Sequence, residues 1–135
     1  MITIQSPLFV YLPRKTKPPR KCFINLNSYR NWHYQVSNNV KKEYADAISQ
    51  QLDGLRFTSP ITLSFVLYKK NKQVTDRANI LSITEKFFCD ALVEHGCIPD
   101  DNDKYILSTH YSTGGIDKEK PRVEITIEAL DKCKE

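Results

Sequence analysis

Apolar and polar positions alternate from Ile61 to Tyr68, with Ile61, Leu63, Phe65 and Leu67 on one side and Thr62, Ser64, Val66 and Tyr68 on the other. The same period runs from Arg122 to Ala129, where Val123, Ile125, Ile127 and Ala129 alternate with Arg122, Glu124, Thr126 and Glu128. A side-chain period of two sends one set to each face of a strand, so both segments predict strands buried on one side. From Val36 the period lengthens. Val36, Val40, Tyr44, Ile48 and Leu52 recur every four residues and Gly54 follows, which predicts an amphipathic helix with a glycine stop. A second helix is predicted over Asn79 to His95, carrying Ile80, Ile83, Phe87, Ala91 and Leu92 and closing at Gly96. Leu8 to Leu12 and Cys22 to Leu26 predict the arms of a hairpin, and Tyr105 to Tyr111 a further strand. Ser112, Thr113, Gly114 and Gly115 predict a turn that makes the last two strands a second hairpin. The order is hairpin, helix, strand, helix, strand, strand. It implies an α/β fold, a two-layer sandwich in which two helices cover one mixed β-sheet.

The 135 residues suffice for one core, so a single domain over 1–135 is expected. With 40% hydrophobic and 27% charged residues the chain is globular in composition, which excludes disorder and fibrous repeats. The apolar runs end far short of the roughly 20 residues of a membrane span. Met1 to Leu12 shows no basic region ahead of an apolar core and no small-residue cleavage site, so the expected compartment is the cytoplasm. There Cys22, Cys89, Cys97 and Cys133 are expected as reduced thiols, since no two form a C-x-x-C pair. His33, His95 and His110 stand at no finger-like spacing from a cysteine pair. His95, beside Gly96, suits a helix C-terminus.

The net charge of +4 says little, but its distribution says more. Arg14, Lys15, Lys17, Arg20 and Lys21 lie within the proline-containing stretch Pro13 to Lys21, read as an exposed loop, whereas Asp100, Asp101 and Asp103 cluster late in the chain. A basic patch apart from an acidic pocket suits a protein that holds phosphates with one and a divalent metal with the other. Asp76 opens the second helix and is either its N-cap or a functional acid. Asn79, Ile83, Lys86 and Asp90 share one helix face, where Lys86 and Asp90 form either a surface pair or part of a site. The acidic turn after Gly96 is either solvated or functional. A site joining Asp76, Asp90 and Asp101 would favour a hard cation such as Mg²⁺, with Lys86 as a positive donor near a phosphodiester.

Asp76-x-x-Asn79, then Lys86-Phe87-Phe88-Cys89-Asp90-Ala91-Leu92, then Gly96-x-x-x-Asp100-Asp101 resembles the core signature of the RusA family of Holliday junction resolvases. Asn27-Ser28-Tyr29 after the basic stretch resembles that family's DNA-contact segment. The resemblance spans most of Asn27 to Leu130 and is specific only from Asp76 to Asp101. It implies a small homodimeric endonuclease, of bacterial or phage and prophage origin, that uses Mg²⁺ or Mn²⁺ to resolve branched DNA by paired nicks. Asp76, Lys86 and Asp101 match the catalytic residues, with Asp100 as acidic neighbour, and Asp76, Asp90, Asp100 and Asp101 form the implied metal set. The implied DNA contacts are the five loop cations, then Asn27, Tyr29 and Arg30, and Lys72 and Asn79 around Asp76. Tyr29, Trp32 and Tyr34 either stack on bases or anchor packing. The pattern departs from the family at Ala78, where a second carboxylate is usual, and the interval from Asn79 to Lys86 is about one helical turn longer. Either Asp90, or less directly Glu85, replaces that carboxylate, or the chain is a branched-DNA-binding protein with weakened cleavage.

Overall fold

The computed structural model describes residues 1–74 and 76–130. Its elements are β1 (Ile2–Ser6), β2 (Phe9–Leu12), β3 (Arg20–Phe23), α1 (Leu26–Arg30), α2 (Tyr34–Leu52), β4 (Ile61–Lys69), α3 (Arg77–Glu94), β5 (Ile106–Ile116) and β6 (Arg122–Ala129). Four strands form one mixed sheet in the order β1-β6-β4-β5, and β2 pairs with β3 in a separate ribbon. The fold is α/β, as the alternating periods predict.

The two helices end where the sequence says they must. Gly54 and Gly96 both have positive φ, at 79° and 72°, a conformation that leaves the last helical carbonyls satisfied and that side chains with a Cβ resist. His95 caps α3, its Nδ1 3.0 Å from the Ala91 carbonyl oxygen. Val40, Tyr44, Ile48 and Leu52 of α2 and Leu81, Phe87, Phe88 and Leu92 of α3 lie against Ile61, Leu63, Phe65 and Leu67 of β4 and Val123, Ile125 and Ile127 of β6 in a single core. Phe65 sits at its centre, edge-on to Phe88 of α3 and to Tyr111 of β5. A buried hydrogen bond of 2.6 Å between Tyr44 and Ser6 ties α2 to β1.

Three expectations are corrected. The last two strands are not a hairpin: β4 lies between them, parallel to β5 and antiparallel to β6. Parallel neighbours need a crossover, and α3 supplies it between β4 and β5. Nor do the two late glycines turn the chain, since both lie inside β5. Pairing steps from Leu67 opposite Thr113 to Tyr68 opposite Gly115, so Gly114 is the extra residue of a bulge. A Cβ on Gly114 would stand 2.6 Å from the side chains of Val66 and Tyr68, which is why the residue is glycine. The reversal falls instead around Asp117, whose carboxylate accepts the Lys120 backbone N–H at 3.1 Å.

The second correction concerns the N-terminal ribbon. Arg20 and Lys21 belong to β3 rather than to an exposed loop, and the strand stops at Phe23 because Asn25 caps α1, accepting the Ser28 N–H at 2.8 Å. The third is β1, which the patterning left unassigned; it pairs along its length with β6. Cys22, Cys89 and Cys97 are free and buried, and Cys133 lies outside the described residues. Among the described residues no helix is long and apolar enough to cross a membrane.

Candidate functional site

The candidate acids are distributed along α3 and the turn that follows it. Asp76 is the N-cap of this helix, and its Oδ1 accepts the Ala78 N–H at 3.1 Å. Asp90 stands fourteen residues further along the same helix, so the two carboxylates are about 21 Å apart at 1.5 Å per residue. One chain therefore does not bring Asp76 and Asp90 to a common ion. Asp90 turns toward α2 and pairs with Lys41 at 3.5 Å. Lys86 is exposed one turn before it.

A different grouping forms toward the C-terminal half of α3. The Cys89 thiol is pushed up to about 12 from an ordinary value near 9, first by burial and then by the negative charges of Glu85, Asp101 and Asp90. The negative charges of these three carboxylates, from two turns of helix and the following loop, all act on that buried thiol. Glu85 accepts a hydrogen bond from the Tyr111 hydroxyl of β5. Burial first, then that bond and the charge of Glu85, hold the Tyr111 phenol well above its usual range. Asp100 turns away: its Oδ1 accepts the Asp101 N–H at 2.8 Å and its Oδ2 the Asn102 side-chain amide at 3.1 Å. Among the described residues no three His, Cys, Asp or Glu side chains lie close enough to form a metal cage.

The residues expected on DNA divide into two sets. Asn79 Oδ1 accepts the backbone N–H groups of Leu26 at 2.8 Å and Asn27 at 3.2 Å, so this amide clamps the start of α1 onto α3. The Asn27 carbonyl in turn accepts from the Asn31 amide at 3.0 Å. Tyr29 is edge-on to Trp32 and to Phe87 of α3, a packing role, while Tyr34 is exposed. Around them Leu26, Arg30, Ser37 and Asn38 complete a shallow depression. Arg14, Lys15, Lys17, Arg20 and Lys21 are all exposed on the ribbon, and Lys72 is exposed on the loop between β4 and α3. Arg14 and Arg20 also share a groove with Lys42 and Glu43 of α2.

Two contributors were hidden in the sequence. Tyr111 reads simply as one apolar position of a strand, and its partnership with Glu85 depends on the parallel placement of β5 beside α3. The clamp by Asn79 joins residues more than fifty positions apart and leaves no local signal. Comparison with protein-family models and with curated proteins finds no match.

Proposed function

We propose that the protein is a Mg²⁺-dependent, structure-selective DNA endonuclease of the RusA type, acting on four-way junctions as a homodimer in the cytoplasm of a bacterial cell, as a host, phage or prophage product. The observation that carries this reading is that the negative charges of Glu85, Asp90 and Asp101 all act on Cys89, in a protein that sets five basic residues, Arg14, Lys15, Lys17, Arg20 and Lys21, on a separate ribbon and its connecting loop. Mg²⁺ uses one or two carboxylates and fills its remaining positions with water and substrate phosphate, so a full protein cage is not required. Asp101 and Glu85 are the pair that fits, because Asp90 is already partnered by Lys41. When bound, the ion supplies an activated water and neutralises charge on the phosphate. Exposed Lys86 adds a donor to that phosphate, and the ribbon cations hold the backbone. Asp76 is about 20 Å from Cys89 along α3 and joins such a site only from a second copy of the chain.

The test is a labelled four-way junction incubated with purified protein, with and without Mg²⁺. The expected result is binding in both conditions, nicking only with the metal, and loss of nicking with retained binding for Asp101→Asn. Absence of junction binding overturns the reading. A second reading, binding without cleavage, is favoured by Ala78 and by the lack of a three-ligand group among the described residues. Binding with no nicking in Mg²⁺ or Mn²⁺ selects it.

A further inference from the structure

The ribbon of β2 and β3 has two unlike faces. Val10, Leu12 and Cys22 point inward and are buried. The residues that alternate with Val10 and Cys22 along the strands point outward, with Phe9 paired to Phe23 and Tyr11 to Lys21. Tyr11 is 51% and Phe23 46% exposed, although aromatic rings of this size are ordinarily covered. The rings are fixed in relation to one another, with Phe9 edge-on to Tyr11 at 5.6 Å and to Phe23 at 5.7 Å. Lys21 Nζ lies 4.1 Å from the Phe9 ring centroid and 4.9 Å from that of Phe23, so a cation is held within the aromatic patch.

The surroundings specify what such a face takes. Arg14 Nε donates to the Pro18 carbonyl at 2.8 Å and closes the basic tip beyond the rings. No acidic residue precedes Glu43 in the sequence, whereas eight Lys and Arg do. At the other end of the ribbon Phe23 borders a cavity of about 280 Å³ that is also lined by Leu8, Asn25, Lys69, Lys70 and Asn71. Aromatic faces and interspersed cations, on two strands that carry no acid of their own, meet the two demands of a nucleotide, a π-face for the base and a positive charge for its phosphate. A paired duplex hides its base faces and cannot use the rings. An unpaired strand exposes them.

We infer that the outward face of the ribbon, Phe9, Tyr11, Lys21 and Phe23, is a stacking platform for a run of unpaired nucleotides, with the Phe23 cavity receiving the next base and Lys70 its phosphate. This rests on the nucleic-acid reading above and adds to it a preference for unpaired strands. The platform is distinct from the carboxylate site, and its role does not depend on cleavage.

The experiment is fluorescence anisotropy in metal-free buffer with EDTA, using a labelled dT15 oligomer, an rU15 oligomer and a 15-base-pair duplex. Tyr11→Ala and Phe23→Ala should each weaken dT15 binding about tenfold, the order expected for one lost base stack, and leave duplex binding within about twofold. Neither removes a charge, so the slope of log affinity against log salt stays the same. Lys21→Ala should lower the single-strand slope by about 0.7. Phe23→Leu keeps apolar contact with Phe9 but offers no π-face, and serves where Phe23→Ala lowers thermal stability. The rU15 arm tells whether the unpaired strand is DNA alone or either nucleic acid. Unchanged dT15 affinity, equal losses on dT15 and duplex, or a shift in sedimentation that marks the rings as a protein contact overturns the platform. Wild-type protein that binds neither these probes nor a four-way junction overturns the nuclease reading as well. Junction binding by wild type with unaffected ring variants overturns the platform alone.

Discussion

The Tyr111 hydroxyl donates directly to the Glu85 carboxylate, joining an edge strand to the middle of the crossover helix. The ring of Tyr111 packs edge-on against Phe65, so the phenol reaches from the core to the rim of the acidic group. Tyr111→Phe keeps the ring and removes the donor. A hydrogen bond to a charged group contributes about 1.5–3 kcal/mol, and the half-buried site should make the loss about 1–2 kcal/mol in urea unfolding. The same variant should alter the Mg²⁺ concentration that gives half-maximal nicking, because Glu85 loses the hydrogen bond that fixes its carboxylate. An unchanged metal dependence would remove Glu85 from the site.

Asp76 and Asp101 can be assigned to one site or two by complementation. Asp76→Asn and Asp101→Asn proteins should each be inactive in nicking alone. If one protomer supplies Asp76 and its partner supplies Asp101, mixed dimers contain one intact site, and mixing the two inactive proteins should restore part of the single-strand nicking. If both acids act within one chain, mixing restores nothing. Sedimentation equilibrium on the same samples should find a dimer at micromolar concentration.

Asn79→Ala should cost about 1 kcal/mol, since the N–H groups of Leu26 and Asn27 lose their protein acceptor at a rim that water reaches. The urea midpoint should fall while the m-value holds, because the core is untouched. DNA affinity should fall with it only as far as α1 shifts, so Asn79→Asp, which retains the acceptor oxygen, should recover both.

Alkaline pH should unfold the protein earlier than a neutral core would suggest. Burial raises the Cys89, Tyr44 and Tyr111 groups above their ordinary values, so the folded state retains protons that the unfolded chain releases. For Cys89 the stabilisation is complete below the ordinary thiol value near 9 and is lost as pH rises toward about 12. Stability should be flat to about pH 8.5 and then decline by up to about 1.4 kcal/mol per pH unit for each group. Cys89→Ala should make the decline shallower, which pH-dependent thermal melts will measure.

Much of this fold is legible in periodicity because helix and strand periods depend on neighbours along the chain. The four-residue repeat of α2 and the alternation of β4 and β6 are of that kind, and Gly54 and Gly96 stop the helices for a local conformational reason. Pairing is not local. Nothing between Ile106 and Ala129 states that β4 will lie between the last two strands, and Gly114 and Gly115 read as a turn until Val66 and Tyr68 are seen filling the space beside them. Asp76 carries the signal of an N-cap and of an acid alike, and the fold uses it as a cap. The spread of the acids was in principle countable, since fourteen residues of helix separate Asp76 from Asp90. What no count reveals is that the charges of Glu85 and Asp101 both act on Cys89, because that depends on how the loop after Gly96 returns across the helix.

Gly114 also sets a parity rule for β5. Ahead of it Thr109, Tyr111 and Thr113 stand opposite the buried residues Leu63, Phe65 and Leu67; beyond it the phase is offset by one, and Gly115 stands opposite Tyr68. A single residue gained or lost before the glycine would exchange the faces of Tyr111 and His110, carrying an imidazole into the core and the phenol away from Glu85. Two residues, or one compensated at the bulge itself, would preserve the assignment. Length changes in this strand are therefore tolerated in pairs, and an odd change can be absorbed where the register already steps, at Gly114 or between Ile106 and Ser108.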